Sequence, residues 1–88
     1  MLKITQTAED DTSITLKLEG RIAGQWVKEL RSECERCLTR RSKILLDLFG
    51  VSFIDRQGVS TLKALMGQGV EVVECSLFIS ELLQGEND

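Results

Sequence analysis

The sequence contains no histidine and no tyrosine among its 88 residues. Without histidine, Ser-His-Asp and Cys-His catalysis and histidine-based metal sites are excluded, and acid–base chemistry would rest on carboxylates, lysines or thiols alone. No apolar run approaches the roughly 20 residues that cross a bilayer. Met1-Leu2-Lys3-Ile4-Thr5 also lacks the continuous apolar core of a signal peptide, which implies no membrane insertion and a cytoplasmic location. There is no Gly-rich phosphate loop and no P-loop lysine, so no cofactor is implied and nucleotide binding has no dedicated cradle. Three cysteines, Cys34, Cys37 and Cys75, are an odd number and argue against a disulfide framework.

What is present describes an ordinary folded domain. Apolar residues make up 42% of the chain and charged residues 28%, with both signs interspersed. The length implies a single domain, 1–88, that buries about 60–65% of its unfolded surface in one modest core. A net charge of −3 supplies no general attraction to nucleic acid. Arg36, Arg40, Arg41 and Lys43 make a local basic cluster, read as cations near a helix C-terminus that complement its dipole. Cys34-Glu35-Arg36-Cys37 matches C-x-x-C, whose redox forms sit at helix N-termini. Here it falls late in a helix on the apolar stripe and reads as core packing.

Hydrophobic periodicity sets the element order. Leu2 and Ile4, then Ile14, Leu16 and Leu18, alternate with polar neighbours and predict a hairpin around the acidic turn Ala8 to Ser13. Ala23, Val27, Leu30, Cys34, Cys37 and Leu38 predict an amphipathic helix from about Gly24 to Arg40, with Trp26 at the stripe's edge. Ile44 to Phe49 is nearly continuous in apolar residues, as in a central strand covered on both faces and broken by Gly50. A second helix, Arg56 to Met66, turns Val59, Leu62, Leu65 and Met66 inward and stops at Gly67-Gln68-Gly69. Val70 to Cys75 predicts a fourth strand. Ser76 then caps a short helix carrying Leu77, Phe78, Ile79, Leu82 and Leu83, before a polar, frayed end from Gln84 to Asp88. The order β-β-α-β-α-β-α implies an α/β fold, a small four-stranded mixed sheet with short edge strands packed against helices.

On these residues a family can be named. Leu46-Asp47-Leu48-Phe49-Gly50-Val51-Ser52-Phe53-Ile54-Asp55, followed by Gly58 and a helix, closely resembles the central segment of STAS domains, the sulphate transporter and anti-sigma factor antagonist family. Leu18 to Gly24, "LEGRIAG", is similar to that family's turn into the first helix. The resemblance implies a binding module without catalysis. In the bacterial antagonists it resembles, the domain binds an anti-sigma factor that is also a serine kinase, and phosphorylation before the glycine breaks the complex.

The loop's physical chemistry is legible independently. Partners of an open α/β sheet meet the crevice beyond the strands' carboxyl ends, where loops lead into helix starts. Asp55 suits the N-cap, and a phosphate beside it would add about −1.5 to −2 charges. The acceptor position implied by the resemblance is occupied by Gln57, preceded by Arg56, so neither has a hydroxyl to modify. Ser60 and Thr61, expected in the first helical turn, and Ser52, expected to alternate outward, are weak alternatives as phosphoacceptors. The expected partner surface is Ser52, Asp55, Arg56, Gln57, Gly58, Ser60 and Lys63, with Met66 nearby.

Two other functions fit the same chain. Small STAS proteins also resemble accessory subunits of ABC-type lipid transport systems, where this helix start docks on the ATPase. Asp47 and Asp55, read as two carboxylates near one strand end, are the sole basis for an enzyme, with no pocket, base or metal set beside them. Longer relatives continue with another strand and helix, so a less covered sheet edge is an incentive for a homodimer at about 25 cal/mol per Å² covered. A shorter last helix that suffices is the alternative.

Overall fold

The computed structural model describes residues 1–85. Its elements are β1 (Leu2–Glu9), β2 (Ser13–Ile22), α1 (Gln25–Leu38), β3 (Lys43–Ile54), α2 (Arg56–Met66), β4 (Val70–Glu74) and α3 (Leu77–Gly85). The strands form one mixed sheet in the order β1-β2-β3-β4, with β1 antiparallel to β2 and the other neighbours parallel. Element order and sheet type are those implied by the periodicity.

The hairpin turn is tighter than its composition suggests. Ala8 and Glu9 belong to β1 and Ser13 to β2, leaving Asp10 to Thr12 to reverse the chain. Asp10 Oδ1 accepts from the backbone N–H groups of Thr12 at 2.9 Å and Ser13 at 2.8 Å, and from both hydroxyls at 3.2 Å. These bonds hold its carboxyl below the usual carboxylate range, the Thr12 and Ser13 amides being the largest causes. Glu9, kept in the strand, reaches Arg41 at 2.8 Å and Arg40 at 3.1 Å across the sheet.

That pairing corrects the reading of the basic cluster. Helix α1 ends at Leu38 rather than Arg40, because the Thr39 hydroxyl donates to the Arg36 carbonyl at 2.6 Å and closes the last turn. Only Arg36 lies in that turn, beside Glu33. Arg40 and Arg41 hold Glu9, and Lys43 approaches Glu71 at 3.5 Å. The cluster is internally paired.

One face of the sheet carries the core. Ile14, Leu16, Leu18 and Ile22 of β2 and Ile44, Leu46 and Leu48 of β3 are buried together with Val27, Leu30, Cys34 and Cys37 of α1. Val59, Leu62 and Leu65 of α2 and Ile79 and Leu83 of α3 complete the same cluster. Trp26 is half-buried against it, at the stripe's edge as expected. Truncating a side chain such as Leu30, fully buried, to alanine costs about 2–5 kcal/mol in such a core.

Three expectations fail here. β3 is not covered on both faces, since Leu45 and Asp47 are half-buried and Phe49 is 70% exposed. Right-handed crossovers place α1 and α2 on the same side, so the outward positions keep solvent. Gly50 does not break β3 either. Between the Lys17–Asp47 and Glu19–Gly50 pairs, two residues of β3 oppose one of β2, a bulge that turns Val51 inward, and a second shift between Gly20 and Arg21 turns Ile54 inward. Asp47 Oδ1 secures it by accepting from the Phe49 N–H at 3.0 Å. Finally, β4 has five residues but β1 has eight, so only one edge is short.

Beyond α2, the Gly67 to Gly69 turn leads into β4 as read, and Ser76 Oγ accepts from the Ile79 N–H at 3.3 Å as the cap of α3. Ile79 is buried while Leu77 and Phe78 point outward. Of the polar end expected to fray, Gln84 and Gly85 belong to α3, and the remainder lies outside the described residues.

Candidate functional site

The parallel pair β2 and β3 delivers the starts of α1 and α2 to one end of the sheet, and Asp55 joins them. Its N–H donates to the Ile22 carbonyl at 3.1 Å, continuing the β2–β3 ladder to the helix boundary. Its backbone is extended, at φ −84° and ψ 176°, as an N-cap requires. One carboxylate oxygen then accepts from the Gly58 N–H at 2.7 Å, inside the first turn of α2. The other accepts from the Gly24 N–H at 3.0 Å, at the cap of α1, which has no side-chain cap of its own. A single carboxylate therefore satisfies orphan donors at two helix N-termini.

Gly58 sets how closely α2 approaches the sheet. A Cβ there would lie 2.7 Å from Ile54 Cγ2 and 2.8 Å from the Ile22 carbonyl oxygen, so this turn tolerates no side chain. With Gly58 and Val59 buried, the 3.6-residue period leaves Arg56, Gln57 and Ser60 exposed on the outer face. Thr61 and Lys63 are half-buried beside them. Ser60 and Thr61 lie in the second turn of α2, not the first, because the helix already begins at Arg56. Ser52 points outward and its hydroxyl donates to the Gly20 carbonyl at 3.2 Å. Met66, expected inward, is 40% exposed, since Leu65 takes the inward position at the end of the helix.

Asp47 and Asp55 are not brought together. Asp47 sits on the outward side of β3 holding the bulge, and about 20 Å or more of strand separates it from the N-cap. Among the described residues no three carboxylates or thiols cluster as a metal site. A surface groove of about 440 Å³ runs along α1, lined by Gln25, Trp26, Lys28, Glu29 and Ser32 of that helix alone. No helix among the described residues is long and apolar enough to cross a membrane.

Sequence reasoning missed one residue pair. Arg21 lies opposite Phe53 in the β2–β3 register, its guanidinium carbon 5.1 Å from the ring centroid. Only the register, shifted at Gly20, brings them together, and no local pattern signals it.

Known proteins share this fold. The STAS domain family matches residues 4–78. The structure of the anti-sigma factor antagonist SpoIIAA in its unphosphorylated form superposes with a TM-score of 0.75 at 16% identity, covering 93% of this chain and 82% of that one. The Bacillus cell fate determinant SpoIIAA in its phosphorylated form gives 0.75 at 15% identity, covering 97% and 84%. An anti-sigma factor antagonist from Mycobacterium paratuberculosis gives 0.77 at 17% identity, covering 99% and 80%. No curated protein sequence matches. These structures share the mixed sheet and its helices, and the family match spans both strand–helix junctions built around Asp55, so the chain belongs to the STAS domain family.

Proposed function

We propose that the 88 residues form one STAS domain acting as a non-catalytic protein-interaction module of the anti-sigma factor antagonist kind. Its partner is an anti-sigma factor, serine kinase-like protein in bacterial transcriptional signalling. The contact surface is the loop and helix start from Ser52 to Ser60 with Lys63, where Asp55 and Gly58 fix the backbone. The observation that carries this reading is the pairing of an ordered N-cap with an outward Gln57: the position implied for phosphorylation is presented to solvent and has no hydroxyl. Binding is then constitutive, in the state equivalent to an unphosphorylated antagonist, and Arg56 selects an acidic patch on the partner.

The test is capture of a cognate anti-sigma kinase by the purified domain and by its Arg56→Glu variant. Loss of capture in the variant supports the reading, and unchanged binding overturns it. Co-purification from the native host separates this from the transporter alternative, in which an ABC ATPase is recovered instead.

A further inference from the structure

We infer that Arg21 and Arg56 form a two-point anchor for an acidic segment of the partner protein, with Arg21 pre-positioned on Phe53. This rests on the proposed partner site at the start of α2 and extends it onto the end of β2. Arg31, Arg36, Arg40 and Arg41 are each paired with a glutamate. The two remaining arginines, Arg21 and Arg56, have no acid partner among the described residues, and both are exposed. Arg21 is the penultimate residue of β2, level with Phe53 of β3, and Arg56 opens α2 three residues further along the chain than Phe53.

The Arg21 position is built rather than incidental. Gly20 has φ +111°, and a Cβ there would come within 2.2 Å of the Met1 carbonyl oxygen. The Arg21 N–H donates to that same oxygen at 3.1 Å, and the β2–β3 register shifts between Gly20 and Arg21. A bulge of this kind re-aims a side chain, here laying the guanidinium over Phe53 at 5.1 Å. The Ser52 hydroxyl ties β3 to the same bulge through the Gly20 carbonyl. A stacked guanidinium uses its face and leaves its in-plane N–H donors for a carboxylate. Part of the ordering cost of the side chain is already met before the partner arrives.

Charge favours a protein segment over nucleic acid. The chain carries −3 overall with a pI near 4.9, and its other arginines are neutralised internally. A polyanion needs an extended row of cations, whereas a short acidic segment needs only these two.

The experiment is a titration of the 15N-labelled protein with a glutamate-rich heptapeptide, following backbone amide and arginine Nε resonances. Shifts at Arg21, Phe53, Arg56 and Gln57 are expected, with binding weakened about fivefold in Arg21→Gln and also reduced in Phe53→Leu, which keeps the charge and removes the stack. If Arg56→Gln weakens binding while Arg21→Gln and Phe53→Leu do not, the anchor is overturned and the site on α2 stands. Absence of shifts at both positions at millimolar peptide overturns both. Equal shifts with inorganic phosphate or a single-stranded oligonucleotide overturn the assignment to a protein segment.

Discussion

Asp55 and Gly24 are 31 residues apart in sequence, yet the carboxylate of one accepts the N–H of the other at 3.0 Å. The same carboxylate caps α2 through Gly58 at 2.7 Å. A family motif that looks local, an aspartate three residues before a glycine, is thus also a long-range tie between the two helix starts of the candidate site.

Replacing Asp55 separates these two roles. Asp55→Ala loses both bonds and should cost about 1–3 kcal/mol in urea unfolding with an unchanged m-value. Asp55→Asn keeps a carbonyl for Gly58 but turns an NH2 group toward the Gly24 N–H, so its cost should be intermediate. An asparagine variant as stable as the wild type would show that the Gly24 bond contributes nothing.

Gln57 tests binding apart from folding. Gln57→Glu puts a carboxylate in the first turn of α2, where the helix dipole offers about 0.3–1 kcal/mol and Asp55 opposes it. Thermal stability should therefore change little while capture of the partner falls. Gln57→Ser should accept phosphate from a cognate serine kinase at a position where the wild type accepts none, read by mass spectrometry.

The thiols should divide sharply. Burial, reinforced by neighbouring Cys37, Glu33 and Glu35, pushes the Cys34 thiol up to about 12, and burial followed by Glu33 raises that of Cys37. Thiolate is the reactive form, so a thiol-specific reagent at pH 8 should label only half-buried Cys75 in the native protein and all three after unfolding. Rapid native labelling of Cys34 or Cys37 would contradict their place in the core.

Asp10 gives a pH signature. Its carboxyl is held below its ordinary 3.8 by the amides of Thr12 and Ser13. A depressed folded-state value contributes stability above the unfolded value, and that contribution is lost as pH falls through the folded one. Asp10→Asn should melt below the wild type at pH 7, and the two melting temperatures should converge as pH drops below 3.8, where the neutral acid and the amide are near-isosteric.

The element order was legible because each segment keeps its own period. Val59, Leu62 and Leu65 read as one helix face, and α2 runs from Arg56 to Met66 as its capping aspartate and closing glycines indicate. Gly50 was misread because a glycine in a strand is equally a stop or a bulge, and only the pairing of β3 with β2 decides. Phe49 looked like core for a related reason. Apolar content alone does not tell which side of a sheet the crossovers will cover. At the candidate site, Asp55 and Gly58 were legible as a helix start, while the places of Arg56 and Gln57 were implied by the family resemblance. Arg21 was not legible, because its place depends on a register shift and on Met1, twenty residues away along the chain.

The bond from Arg21 to the Met1 carbonyl has a practical consequence for every capture experiment on this domain. Anything fused ahead of Met1, whether an affinity tag or an upstream segment, joins the chain one backbone hydrogen bond away from Arg21, beside the proposed contact surface. A bulky amino-terminal fusion is therefore expected to weaken capture relative to the same handle at the opposite terminus, a comparison that one pull-down with both baits makes.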